Sequence, residues 1–209
     1  MTQRHDSFAS LFGAAPRDAQ DRARIADVAA RLIAEHGIAD WSLAKRKAAR
    51  QLLLPDGAAL PADGEIEAAL VTHHALFGGD AHTVTLRDQR RQALSWLREL
   101  AEFSPTLVGG VAAGWATEHS DIRIDLVADD SKEVELTLIN RNVEYRVSPV
   151  DARQRMIELF IDTRKAGIRL SIRTPAVARQ RPKRDRRGAE DARLDADALA
   201  ALLHTDDAG

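Results

Sequence analysis

The chain has 209 residues, enough for one well-buried domain with an accessory segment or for two small domains. Its 44% hydrophobic and 30% charged residues are the balance of a globular protein, and a formal net charge of −2 argues against polyanion binding by the bulk field. Cysteine is absent, which excludes disulfides, thiolate zinc sites and cysteine nucleophiles.

Residues 1–17 read as a polar, loosely ordered lead-in without the apolar run of a signal peptide, and no stretch approaches ~18 apolar residues. A cytoplasmic protein without membrane contact is the expectation, and abundant Ala and Arg fit a high-GC, bacterial genome. From Asp18 the pattern turns helical, with Ile25, Val28, Ala29, Leu32 and Ile33 on one face and Gly37 as the stop. Ser42 is the expected N-cap of a second helix running to about Leu53, ahead of Pro55-Asp56-Gly57. It carries Lys45, Arg46, Lys47 and Arg50, a solvated basic face rather than a recognition helix, since only Gln51 is near to read bases. A third helix is expected over Glu65–Phe77, stopped by Gly78-Gly79, and a fourth over Leu86–Phe103.

The second half changes character. Thr106–Val111 and Ile122–Val127 read as strands. Asp130 with Glu133 forms a capping box for a helix to about Asn140, although Val134, Leu136 and Leu138 also alternate as in a strand. Then come a strand at Val143–Val147, a helix over Pro149–Ala166 ended by Gly167, and a strand at Ile168–Arg173. Beyond Pro175 order is expected to decline. The run Arg179–Arg187 holds six basic side chains against one Asp, and Leu194–Leu203 is a short helix candidate. The basic run and the N-terminal helices are the candidate contacts for RNA or a protein partner; no aromatic residues interleave the run, so base stacking is not expected there.

The segment Leu107–Val127, LVGGVAAGWATEHSDIRIDLV, is the most informative. Gly109-Gly110 lets backbone N–H groups approach a phosphate, and a carboxylate opening the next strand can hold a divalent cation beside it. Other polar residues read as structural. His73, His74 and His82 do not converge on one cation, since adjacent helical histidines diverge. His119 reads as a connector residue near Asp121, and Trp115 is the one tryptophan placed to contact a base or ribose. No P-loop and no G-x-S-x-G occurs.

On these residues the stretch from about Leu86 to Val147 resembles the nucleotidyltransferase superfamily, which includes DNA polymerase beta and the minimal antitoxin-type enzymes. That family joins a strand ending in a glycine pair, a short helix, a strand with Asp-x-Asp and a later third carboxylate. The resemblance implies an α+β protein with an α/β core: a helical module over 18–84, a small mixed sheet with flanking helices over 85–174, and a basic, mostly disordered tail over 175–209. It also implies metal-dependent transfer of a nucleoside monophosphate from a nucleoside triphosphate to an unidentified hydroxyl. Gly109, Gly110, Ser120 and Arg123 would contact the nucleotide. Asp121, Asp125 and Glu144 would be catalytic and hold Mg²⁺, with Glu135 the competitor for the third place.

One departure bears on the chemistry. The second acid of the pattern falls on Arg123, which reverses the charge there and instead offers a bidentate donor to phosphate. A non-catalytic descendant of the fold, binding a nucleotide, RNA or a protein as a regulatory module, is the rival expectation. A third is that the glycines only let a helix pack close to a strand.

Overall fold

The computed structural model describes residues 15–38, 40–148, 156–179 and 192–208. The chain divides into two units, Met1–Leu76 and Phe77–Gly209. It is an α+β protein, with helices accompanied by one mixed sheet of six strands.

In the first unit, α1 (Ala15–His36) packs against α2 (Trp41–Gln51) and α3 (Asp63–His73). The apolar stripe expected on α1 is inside: Ile25, Ala29 and Ala30 are fully buried, facing Ala44, Ala48, Ile66 and Leu70. Small residues on both sides of the α1–α2 contact permit a close helix approach. Gly37, at φ +62°, ends α1 in the left-handed conformation that glycine adopts without cost. The N-cap of α2 is Asp40 rather than Ser42, its carboxylate accepting from Leu43 N–H at 3.1 Å. The basic face of α2 is also divided. Lys45 turns inward to Asp63 at 2.5 Å, while Arg46, Lys47 and Arg50 are not buried.

Gly78-Gly79 does not end a helix. A π-helical turn, His74–Gly78, runs into α4 (Gly79–Glu99), and Gly79 itself takes φ +54°. Helix α4 therefore starts seven residues before the expected Leu86, and a 3₁₀ turn at Ala101–Phe103 follows it.

In the second unit β1 (Thr106–Val108) leads through Gly109 into a one-turn helix, α5 (Gly110–Ala113), so the expected strand to Val111 stops three residues early. Then follow β2 (Ile122–Val127), α6 (Ser131–Asn140) and β3 (Arg146–Val147). Asp130 caps α6, accepting from Lys132 N–H at 3.0 Å, which settles the helix-or-strand question there for helix. Of the helix expected over Pro149–Ala166, residues 149–155 lie outside the described residues, and the part from Met156 is a hairpin strand instead. Met156–Ile161 forms β4, which pairs antiparallel with β5 (Ile168–Arg173) around a loop closed by Thr163 Oγ1 donating to Ala166 O at 2.7 Å. Ile157, Leu159 and Ile161 alternate with Glu158 and Phe160; that period of two outweighs the proline start and glycine stop.

A short helix, α7 (Pro175–Arg179), follows β5. Most of the basic run beyond it lies outside the described residues, as does most of the 1–17 lead-in. The C-terminal part that is described is no loose tail. Arg193–Leu194 forms β6 against β1, and α8 (Ala196–Ala208) buries Leu199 and Leu203 in the core.

Strand order is β3-β4-β5-β2-β1-β6, with β2 and β5 parallel and every other neighbour antiparallel. One line of direct partners reads Leu194, Leu107, Ile124, Leu170, Leu159 and Val147, and lines on either side carry Ile122 with Ile168, and Leu126 with Ile172. This face meets Leu86, Ala93 and Leu97 of α4, Val134 and Leu138 of α6, and α8 in one hydrophobic cluster. Each fully buried Leu or Ile there contributes about 1.5–3 kcal/mol. The opposite face is charged, because side chains alternate along every strand. No helix among the described residues is long and apolar enough to cross a membrane.

Candidate functional site

The charged face of the sheet is where the residues singled out in the sequence fall, beginning at the glycine turn. Gly109 adopts φ +72°, and a Cβ there would lie 3.2 Å from Arg123 Cδ. The aliphatic stem of Arg123 therefore lies over the turn while the residue is exposed. Gly110 is buried under Trp115; a Cβ on it would stand 2.7 Å from the indole ring. Trp115 is thus a packing residue on the turn.

The connector from Gly114 to Asp121 is fastened to α4. Gln89 Nε2 donates to Thr117 O at 2.8 Å, and His82 Nε2 bonds to Ala116 O at 3.0 Å. Burial holds the His82 imidazole below its ordinary pKa; the Ala116 bond opposes this, and the nearby Arg90 charge adds to it. Arg90, almost fully buried, donates to Val111 O at 3.3 Å and pairs with Asp206 of α8 at 3.0 Å. Ser120 closes the connector on itself, its Oγ accepting from Thr117 N–H at 3.0 Å. His119 is exposed beside Glu118.

Asp121 emerges at the head of β2 and is held by Arg169 of β5, Nη2 to Oδ2 at 2.6 Å. Gly167 makes this convergence feasible. A Cβ on it would lie 2.6 Å from Asp121 Oδ1 and 2.8 Å from the Phe160 ring. Arg169 also reaches Glu158 at 3.7 Å and lies over Phe160, as does Arg146. Asp125 is buried and clamped by Arg173 at 3.0 Å and Arg193 at 3.2 Å. Four residues of strand put Asp125 roughly 13 Å beyond Asp121, so the two carboxylates do not share one cation.

The structure does not bring Glu144 to them. It is exposed in the loop before β3, and two strands separate β3 from β2, a lateral distance of about 14 Å. Glu135 on α6 accepts a 2.9 Å hydrogen bond from Tyr145 Oη in the segment before β3, and this bond pushes the Tyr145 pKa upward. Mg²⁺ requires a compact set of oxygen donors. Among the described residues no group of three His, Asp or Glu side chains is placed to hold a metal ion. Asp121 and Asp125 each face guanidinium groups, and the residues present do not fit the expected Mg²⁺ site.

The arginines of β5 and β6 belong to no motif in the sequence, and Gly167, expected as a helix stop, instead leaves room for Asp121. The period of two in Ile168–Arg173 places Arg169, Ser171 and Arg173 on one face, but the proline before and the glycine after Met156–Ile161 disguise their partner strand as helix.

No family model matches the chain, and no curated protein is similar to it. Among solved structures, Cid1 in complex with its short product ApU aligns with 42% of this chain and 30% of its own length, at 20% identity and a TM-score of 0.33. Cid1 with the UTP analogue UMPNPP aligns with 51% of this chain and 36% of its own length, at 16% identity and a TM-score of 0.35. The chain thus spans about a third of the length of these neighbours, and at such scores they assign it neither family nor activity.

Proposed function

We propose that the second unit is a nucleotidyltransferase-like module that binds a nucleoside triphosphate on the charged sheet face as a regulatory ligand, without transferring it. The observation that carries this reading is Arg123. It replaces an acid at the centre of the expected pair, lies over the glycine turn, and among the described residues has no carboxylate partner. A guanidinium so placed is a forked donor for phosphate oxygens and opposes the negative charge that a metal-assisted transfer would gather there.

A second reading keeps the chemistry: transfer of a nucleoside monophosphate to a hydroxyl by Asp121 and Asp125, with Glu144 and Mg²⁺. It is favoured by Asp121, a third exposed and held by a single arginine in a pair that a ligand could open. Incubating the full chain with each α-labelled nucleoside triphosphate separates the two. Retention of label by equilibrium dialysis without covalent transfer is the expected result. Transfer to protein or cell extract that Asp121→Asn abolishes would establish the second reading instead.

A further inference from the structure

The register sets Arg193, Val108, Arg123, Arg169, Phe160 and Arg146 in one line across all six strands. Directly paired residues point to the same face, so four guanidinium groups share a row about 24 Å long at five strand spacings. The line next to it holds Asp125 and Glu158, and Asp121 stands on the other side of it. These carboxylates are already engaged: Asp121 by Arg169, Glu158 by Arg169, and Asp125 by Arg173 and Arg193. Arg123, in the middle of the row and exposed, has no such partner among the described residues.

We infer that this face takes the phosphate chain of its nucleotide as the bare anion, and that Mg²⁺ competes with the protein for that chain instead of bridging the two. The inference rests on the reading that the face binds a triphosphate. A divalent cation brought to Asp121 or Asp125 must displace a guanidinium from a charge-assisted bond and then sit beside Arg123, where like charges repel. Uncomplexed triphosphate keeps its full negative charge and all its terminal oxygens for the arginines. Magnesium removes two units of that charge and occupies oxygens that Arg123 would otherwise meet. In binding terms, Mg²⁺ stabilises the free ligand and so weakens its association.

The test is calorimetric titration of the full chain with ATP, UTP and inorganic triphosphate, in EDTA and again in excess Mg²⁺. Binding roughly three- to ten-fold tighter in EDTA is expected, a preference that Arg123→Ala removes. Inorganic triphosphate showing the same preference assigns it to the phosphate chain. Arg123→Asp, with the fold verified by circular dichroism, should lose binding in EDTA. Binding that requires Mg²⁺, or is tighter with it, overturns this inference and leaves nucleotide binding intact. Absence of binding in both buffers overturns both.

Discussion

Asp121, at the head of β2, and Arg169 of the parallel strand β5 stand 2.6 Å apart, in the space left by the missing side chain of Gly167. A carboxylate expected to gather metal is thereby neutralised within the fold. The same holds, more deeply, at Asp125.

Asp125 is the carboxylate whose loss should cost most. Its side chain is 8% exposed and answers two arginines. Removing one partner of a buried pair leaves uncompensated charge, so Asp125→Ala should lower stability by about 3–5 kcal/mol. Arg193→Ala, at a far more exposed position, should cost under about 1 kcal/mol. Urea titrations of the two variants read the difference; equal losses would mean that the clamp is not the source of the cost.

Two glycines mark close approaches and a third does not. Gly110→Ala drives a methyl into Trp115 and Gly167→Ala drives one between Asp121 and Phe160, so each should destabilise by about 1–3 kcal/mol. Gly57 is exposed with no atom within 4 Å of an added Cβ, and Gly57→Ala should stay within about 0.5 kcal/mol of the parent. Thermal melts of the three variants rank them directly.

Tyr145 is the only tyrosine, so an ultraviolet difference titration reports it alone. Its hydrogen bond to Glu135 favours the protonated phenol and raises its pKa above 10. Glu135→Gln should move the titration back down toward the ordinary value. An unchanged midpoint would show that Glu135 is not the partner in solution.

His82 supplies a pH dependence of definite sign. Its folded pKa lies below the ordinary 6.5, so the unfolded chain takes up the proton first on acidification. Its contribution is complete above about pH 6.5, declines as the pH falls toward the folded pKa, and is flat below it. His82→Gln, which retains a donor for Ala116 O, should abolish this part of the pH profile of the melting temperature. A profile identical to the parent would exclude His82 as its source.

The sequence made the helical first unit, the glycine turn and the β2 strand legible because each rests on local signals: 3.6-residue spacing, a left-handed glycine, an alternating strand. Asp130 at the head of α6 is another such signal. What escaped was tertiary. Met156–Ile161 has a strand period, yet a proline upstream and a glycine downstream frame it as a helix, and only pairing with β5 decides the matter. Without the β4–β5 pairing, nothing in the sequence sets Arg169 beside Asp121 and Glu158, and Asp121 reads as an unpaired carboxylate. The helix expected over Leu194–Leu203 forms as α8, but nothing local in a stretch that follows so basic a run announces that Leu199 and Leu203 enter the core. Arg123 was legible throughout, as a charge where the pattern wants its opposite.

Whether Arg123 receives a nucleotide's phosphates is read by comparing the triphosphate affinity of the parent with that of Arg123→Ala at matched ionic strength without metal. The parent should bind saturably and one-to-one and the variant at least about ten-fold more weakly, with unchanged melting temperatures. Equal affinity in the two proteins would contradict it, as would failure of the parent to bind any of the four ribonucleoside triphosphates.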